Sequence, residues 1–353
     1  MEVLRFILIL GVLIIVHEFG HFLAARRLGV KVDKFAIGFG PPIFKRRIKD
    51  FDFLICSIPL GGYVKLAGDS LTECKGKSFE YFSKPPGIRA VIVGIGPVFN
   101  YILAWLIFAV IFTIGFASPD PSSTIGELKE NYPAQASGLK EDDVIVEIDS
   151  KKVQSWQELT SMIHNFQGRY LNIKVKRGSQ VIDFRLEPRR ETQEVFGKKH
   201  EVSLIGIAPK VYTVKYPFYE ALGQAGIHIV KLTILTLKAL FRIFTGSIPI
   251  RDSLVGPFGM YVISSDVARL GLVPLLSFVG LISMSLAIFN FLPLPILDGG
   301  HLFFLLLEKL RKKPLSPKIE DVINQIGFVF LVILGIFVLY NDFLRFGPKL
   351  FGK

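Results

Sequence analysis

The chain has 353 residues, half of them hydrophobic, with a mean hydropathy of +0.46 and a formal net charge of +12 at pH 7. This composition excludes an ordinary soluble enzyme and indicates an integral membrane protein surrounded by a lipid bilayer. The positive charge does not indicate nucleic-acid binding, because it is concentrated in loops that flank apolar stretches.

The first apolar segment, residues 3–25, contains an unusual group of ionisable side chains, His17, Glu18 and His21. A charged group in hydrocarbon costs several kcal/mol, so these residues are functional candidates. Residues four apart share one face of a helix, so His17 and His21 can bind the same metal ion with Glu18 beside it as a base. The alternative is a buried polar cluster without a metal, which would leave polar groups unpaired in lipid.

Three further charge-free stretches lie between Arg89 and Asp120, Arg269 and Asp298, and Asp321 and Asp342. Each can hold the ~20 residues that cross a bilayer. We therefore predict a polytopic α-helical membrane protein with about four transmembrane helices, a membrane-associated β-hairpin or sheet and one soluble insert. In chain order, the predicted segments are a first span (1–27), a cytoplasmic-side β region (28–89), a second span (90–117), the insert (118–211), an interfacial amphipathic helix with a connector (212–269), a third span (270–298), a cytoplasmic loop (299–321), a fourth span (322–341) and a C-terminal tail (342–353).

The distribution of basic residues predicts the orientation of these spans. Thirteen Lys or Arg residues lie between Arg26 and Arg89, and five more follow Asp298 before the fourth span. Basic loops favour the cytoplasm, so we expect both loops there, the insert outside, and the His-Glu group in the inner half of the membrane. Cys56 and Cys74 fall on the cytoplasmic side, where a disulfide is not expected.

Residues 35–40 and 51–66 have the aromatic and aliphatic mixture of strands, interrupted by Pro41-Pro42 and Gly61-Gly62. We expect a hairpin or small sheet that leans on the membrane or lines the entrance to the site. Composition alone is equally compatible with a small soluble sheet that has an ordinary core.

The insert has a recognisable order of short motifs. Gly138-Leu139 is followed by Asp143 at the start of an apolar strand, by a helix near Trp156 and by two strands at 171–177 and 181–187. This order resembles a PDZ domain, and residues 203–207 resemble its carboxylate-binding strand moved to the end by circular permutation. The resemblance implies binding of peptide C-termini or substrate ectodomains by strand addition. A spacer that acts only by bulk is the alternative.

Residues 217–246 are apolar but carry Glu220, Lys231, Lys238 and Arg242. On a helix these four side chains fall within about 40° of one another, which predicts an amphipathic helix at the membrane interface. Partial insertion is left open.

The third span ends at a bend made by Pro293 and Pro295, followed by Asp298. Irregular backbone at membrane depth is tolerated where it lines a cavity. With four spans, Asp298 returns to the depth of the two histidines and is the natural third metal ligand, with His301 as its competitor. Asp298 would alternatively cap the helix that follows. Asn100 lies at a similar depth in the second span, where an interhelical hydrogen bond is the plainer role.

Together, the His17 to His21 motif, the 57–65 segment with its two glycines, Gly96-Pro97-x-x-Asn100, the PDZ-like insert and Leu297-Asp298-Gly299 resemble the site-2 protease family of intramembrane zinc metalloproteases. The match spans nearly the whole chain. Some members have two PDZ domains, whereas this chain has room for one.

The resemblance implies a Zn²⁺ cofactor held by His17, His21 and Asp298, with Glu18 as the catalytic base. It implies a bacterial cytoplasmic (inner) membrane location. The implied substrates are single-span membrane proteins already cut outside the membrane, such as anti-sigma factors or remnant signal peptides. In this interpretation Gly61 and Gly62 pair with the unwound substrate, and Asn100 or Asn290 holds its backbone.

Two other function classes are compatible with parts of the sequence. A catalytically inactive PDZ membrane scaffold would not need the His-Glu group and Asp298, which are all present. A zinc transporter would require several polar sites stacked across the membrane, whereas the sequence offers one cluster on one side.

Overall fold

A computed structural model describes residues 2–195 and 198–351 of the chain. The helices are α1 Glu2–Arg27, α2 Pro86–Ile114, α3 Pro133–Ala136, α4 Trp156–His164, α5 Phe218–Phe244, α6 Ile250–Ser253, α7 Pro257–Arg269, α8 Leu272–Asn290, α9 Asp298–Arg311 and α10 Pro317–Phe351. The strands are β1 Val32–Ile48, β2 Phe51–Leu66, β3 Phe116–Pro119, β4 Ile125–Leu128, β5 Val144–Ile148, β6 Lys151–Lys152, β7 Leu171–Arg177, β8 Gln180–Leu186, β9 Arg189–Val195, β10 Lys198–Leu204, β11 Ile207–Pro209 and β12 Val211–Val214.

Among these described helices, four are long and apolar enough to cross a bilayer: α1, α2, α8 and residues 317–348 of α10. The prediction of a membrane protein with about four spans is confirmed. The third of these helices ends at Asn290, well before residue 298, because Pro293 and Pro295 cannot continue a helix.

The chain divides into two compact units. The first comprises residues 2–113, 217–241 and 254–351, and the second comprises 114–216 and 242–253. In the first unit α1 and α2 approach closely at Gly20, where an added Cβ would lie 2.9 Å from the Ile95 carbonyl oxygen and 3.1 Å from the Gly96 Cα. A side chain there would separate the helices, so the two glycines permit the contact that builds the site.

The remaining helices of this unit are joined by polar contacts. Ser283 Oγ of α8 donates to the Asn100 carbonyl of α2 at 2.7 Å. Asp342 of α10 is 1% exposed and accepts from the backbone N–H groups of Gly256 (3.0 Å) and Gly259 (2.7 Å) at the start of α7. The carboxylate thus satisfies amides that the helix itself leaves unpaired.

The predicted β region forms one long pair of strands that fold back on themselves. Residues 34–37 of β1 pair on one side with 62–65 of β2 and on the other with 52–55, while 42–48 pair with 51–56. The predicted interruptions at Pro41-Pro42 and Gly61-Gly62 lie inside the strands rather than ending them, and Gly38, Gly40 and Gly61 have positive φ. Residues 62–66 form one edge of this sheet, and no other strand in the described parts of the chain pairs with them.

The second unit is a small β domain. Its four-stranded sheet has the order β6-β5-β7-β8, and the pairs β3 with β12, β4 with β11, and β9 with β10 complete it. Alternate residues of β7, Leu171, Ile173 and Val175, are fully buried, as expected for a strand with one face on the core. Helix α4 is capped at its N-terminus by Ser155, whose hydroxyl accepts from the Glu158 N–H at 3.2 Å.

Helix α5 packs against α2 in the first unit. Trp105 Nε1 donates to the Leu222 carbonyl at 2.9 Å, and the Tyr101 and Thr233 hydroxyls are 2.6 Å apart. The four predicted charged side chains of α5 are all exposed. An interfacial position for this helix stays a prediction.

Candidate metal centre

Helix α1 brings two imidazoles together. His17 and His21 are one turn apart on the same face, and their Nε2 atoms are 3.1 Å apart. Their rings meet edge to face, with centroids 4.8 Å apart. Both side chains are mostly buried, at 13% and 14% exposed, so the pair lies inside the protein rather than on its lipid-facing surface.

The turn between α8 and α9 delivers Asp298 to the same point. Asp298 is the first residue of α9, and its Oδ2 lies 3.1 Å from His17 Nε2 and 3.5 Å from His21 Nε2. A Cβ at Gly299 or Gly300 would collide with carbonyl groups of the preceding turn, so the glycine pair allows that turn to fold tightly against the helix.

The structure bears on two alternatives for this end of the third span: Asp298 as a helix cap, and His301 as the third metal ligand. The helix cap position is occupied by Leu297, and no side chain caps the helix. His301 lines a cavity next to the two histidines and meets Phe304 edge to face. It is not part of the ligand cluster, which is the group formed by His17, His21 and Asp298. Within the described residues, the group of side chains that could hold a metal ion consists of His17, His21 and Asp298.

The three ligand atoms fit a tetrahedral metal ion. Atoms bound about 2.0–2.2 Å from such an ion lie about 3.3–3.6 Å from one another, close to the three separations of 3.1, 3.1 and 3.5 Å seen here. Asp298 Oδ2 is buried and forms no hydrogen bond of good geometry, although both imidazoles are near it. The convergence of two imidazole nitrogens and a carboxylate oxygen without a hydrogen-bond partner suits a zinc ion with one position open.

Helix α2 fixes the orientation of His21. The Nδ1–H group of His21 donates to the Ile92 carbonyl oxygen at 2.8 Å, which leaves Nε2 with its lone pair towards the ligand cluster. An added Cβ at Gly96 would overlap the His21 ring, so only glycine leaves room for the imidazole. This contact explains why the sequence motif has glycine at position 96.

A cavity of about 450 Å³ opens in front of the cluster. Glu18 lines it beside both imidazoles, and an added Cβ at Gly62 would lie 3.2 Å from the Glu18 Cγ. The edge strand contributes Tyr63 and Val64 to the wall. The cavity is therefore bounded by the edge of the sheet and by the side chains of His17, His21 and Asp298.

The other predicted site residues occupy different positions. Asn290 lies on the cavity wall. Asn100 is 1% exposed between α2 and α8 and is not among the wall residues, although its buried Oδ1 has no hydrogen-bond partner. Gly61 packs under the Phe39 ring, and Gly62 faces Glu18.

Sequence reasoning missed four charged residues of the cavity wall, Asp69, Arg89, Glu308 and Glu320. Of these, Arg89 and Glu308 form an ion pair across 219 positions of sequence. Arg89 was visible only as the charge that bounds the second span, and a pairing over this separation has no local signal.

Comparison with known proteins gives a consistent assignment. The family model described as "Peptidase family M50" matches residues 5–334. Proteins of Rhizobium meliloti (31% identity; 96% of this chain, 95% of the relative) and Clostridium acetobutylicum (33%; 95% of each) carry the name "Putative zinc metalloprotease". The Escherichia coli regulator of sigma-E protease is 29% identical, with 98% of both chains covered. The chain therefore belongs to peptidase family M50, the site-2 protease family, and is a zinc metalloprotease of this type.

Proposed function

We propose that this enzyme cuts the membrane-spanning segment of single-span proteins after a first cut outside the membrane. The observation that carries the proposal is the convergence of His17, His21 and Asp298 next to Glu18, inside a bundle of helices able to cross a bilayer. A peptidase site at that depth meets substrate as a membrane segment. The name of the E. coli relative supports a regulatory substrate such as an anti-sigma factor, with remnant signal peptides as the second class.

In the proposed mechanism, His17, His21 and Asp298 hold Zn²⁺. When bound, the ion supplies a Lewis acid and lowers the pKa of a water molecule towards neutrality. Glu18 is the general base: it takes a proton from the attacking water and passes a proton to the leaving amine nitrogen. The Ile92 carbonyl keeps His21 in the tautomer whose Nε2 lone pair would be available to the ion.

A membrane helix hides its peptide carbonyls, so the substrate must be extended before attack. The free edge of residues 62–66, with Tyr63 and Val64 on the cavity wall, suits the addition of an extended substrate strand. Gly61 and Gly62 would allow its close approach, and Asn290 would hold an exposed backbone group. Asn100 is the weaker candidate for that task, because it lies behind the wall.

We further propose that the second unit is a single PDZ domain, in a chain oriented with this unit outside the cytoplasm. Its helix and the strands at 171–177 and 180–186 follow the PDZ-like order. The 450 aligned positions of the E. coli comparison, against 353 residues here, leave at least 97 positions without a counterpart in this chain. That difference supports one domain in place of two. Its role is to bind peptide C-termini or to exclude substrates with intact ectodomains.

The test compares the purified wild-type protein with Glu18→Gln and His17→Ala on a model single-span substrate, with bound zinc measured for each. We expect Glu18→Gln to abolish cleavage while retaining zinc, because Glu18 is a base and not a ligand. His17→Ala should lose both. Accumulated membrane stubs in cells that carry Glu18→Gln would then identify natural substrates.

Two outcomes would support the rival classes. A scaffold predicts that neither the wild-type protein nor Glu18→Gln cleaves any membrane segment. A transporter predicts zinc flux into sealed vesicles that contain the wild-type protein.

A further inference from the structure

The wall of the same cavity includes a buried ion pair that the mechanism does not use. Arg89 at the start of α2 is 4% exposed and its Nη2 contacts Oε1 of Glu308 on α9, which is 14% exposed. Arg89 Nε also donates to the Lys84 carbonyl at 3.0 Å. The guanidinium lies over the rings of Phe82 and Tyr81, with centroids 5.0 and 5.9 Å away. Arg89 is therefore held from several sides and forms a rigid anchor.

Glu308 lies on the same face of α9 as Asp298. The α9 residues Asp298, His301, Leu305 and Glu308 all line the cavity, at the spacing of one helical face. Ten residues of helix place Glu308 about 15 Å along the axis from Asp298. The helix starts directly after the irregular proline turn, so a contact further along the helix is needed to fix its rotation and axial position.

One turn of α2 contacts both ligand-bearing segments. The Ile92 carbonyl holds His21 of α1, and Arg89, three residues earlier on the same face of α2, holds Glu308 of α9. We propose that Arg89 and Glu308 are positioning residues that set α9 so that Asp298 reaches the two imidazoles. This inference rests on the proposed metal-binding role of Asp298.

Binding of a substrate carboxylate is the competing role for Arg89. Its Nε and Nη2 atoms are already engaged by Lys84 and Glu308, and its side chain is almost fully buried. Removal of one partner of a buried ion pair destabilises the surrounding structure, because the other charge is left uncompensated. Both observations favour a pair that anchors α9.

The test uses the full-length protein with Arg89→Gln, Glu308→Gln, the exchange Arg89→Glu with Glu308→Arg, and Lys309→Gln as an exposed control on the same helix. Zinc affinity is measured by competition with a chelator, and amide hydrogen exchange is followed over residues 299–311. We expect each single change to weaken zinc binding by about tenfold or more and to raise exchange in α9. The exchanged pair should recover much of both properties, and Lys309→Gln should match the wild type.

Wild-type zinc affinity and wild-type α9 protection in both single variants would overturn the inference. So would weakened zinc binding with unchanged α9 protection, because the pair would then act without positioning the helix. Asp298→Asn separates the two proposals. If it binds zinc as the wild type does, the metal-binding role of Asp298 fails, and the exchange of α9 alone decides whether the pair anchors the helix.

Discussion

At the scale of single residues, the site depends on groups that carry no chemistry themselves. As a candidate ligand, His21 depends on the Ile92 carbonyl, which fixes its tautomer, and on Gly96, which leaves space for its ring. Mutation of the groups that orient a metal ligand typically lowers metal affinity by about 10–100-fold. The space that Gly96 leaves for the His21 ring is therefore a specific requirement of the candidate site.

The glycine requirement gives a direct prediction with a matched control. In Gly96→Ala the new methyl group would overlap the His21 ring, whereas in Gly94→Ala it would meet Leu302 at an ordinary distance of 3.8 Å. We expect Gly96→Ala to lower zinc affinity by about 10–100-fold and to reduce cleavage in parallel. Gly94→Ala should behave as the wild type in both measurements. Equal zinc affinity in the two variants would show that the imidazole does not need this space.

At the scale of elements, local patterns were enough for some features. The charge-free stretches predicted about four spans, and the spacing of His17 and His21 predicted that both side chains share one helical face, because bilayer thickness and helix periodicity act within one segment. The helix and two strands near Trp156 and Leu171 were predicted to within a few residues for the same reason.

Other features depend on contacts between distant segments and had no local signal. The strands β1 and β2 continue through the prolines and glycines that were predicted to interrupt them, because each strand folds back and pairs again. The ion pair between Arg89 and Glu308 likewise depends on how two helices pack. Sequence reasoning placed Asp298 near the histidines only by counting spans, and the tight turn at Gly299 and Gly300 supplies the physical reason.

At the same scale, the charged contacts of Asp143 in the second unit predict that the stability of this unit depends on pH. Its carboxylate is fully buried, which by itself raises its pKa. Two hydrogen bonds from Arg177, both 2.7 Å, and one from the Lys140 N–H at 2.9 Å outweigh burial and hold the pKa of Asp143 below its ordinary value of 3.8. The charged form is thus favoured in the folded unit.

A carboxyl whose pKa is lowered by folding stabilises the protein above its unfolded pKa, and this contribution is lost as the pH falls through the folded pKa. We expect amide exchange over residues 125–186 of the full chain, corrected for intrinsic rates, to rise below about pH 4. Asp143→Asn should raise exchange already at pH 6 and flatten the acid dependence, whereas the exposed Asp183→Asn should not. An unchanged pH profile in Asp143→Asn would contradict this account.

At the scale of the whole molecule, the side on which the basic loops lie and the depth of the candidate site in the membrane both depend on the number of crossings. The candidate ligands come from α1 and from the start of α9, two segments separated by most of the chain. In the proposed topology, the two crossings made by α2 and α8 would return Asp298 to the leaflet of His17 and His21. The same topology would place the second unit on the side opposite the basic loops, so the proposed orientation and the proposed metal site depend on one topology.

That topology can be tested by the access of a membrane-impermeant thiol reagent in intact cells. In a background with both native cysteines replaced by Ser, Ser179→Cys marks an exposed turn between β7 and β8, and Lys313→Cys marks the exposed segment between α9 and α10. Because basic loops are retained in the cytoplasm, we expect labelling of Ser179→Cys before lysis and of Lys313→Cys only after lysis. Retained cleavage activity in both variants would show that the labelled molecules are folded. Labelling of both positions in intact cells would require a different number of crossings between them. Labelling of Lys313→Cys alone would require the opposite orientation, and the proposed extracytoplasmic location of the PDZ domain would then be wrong.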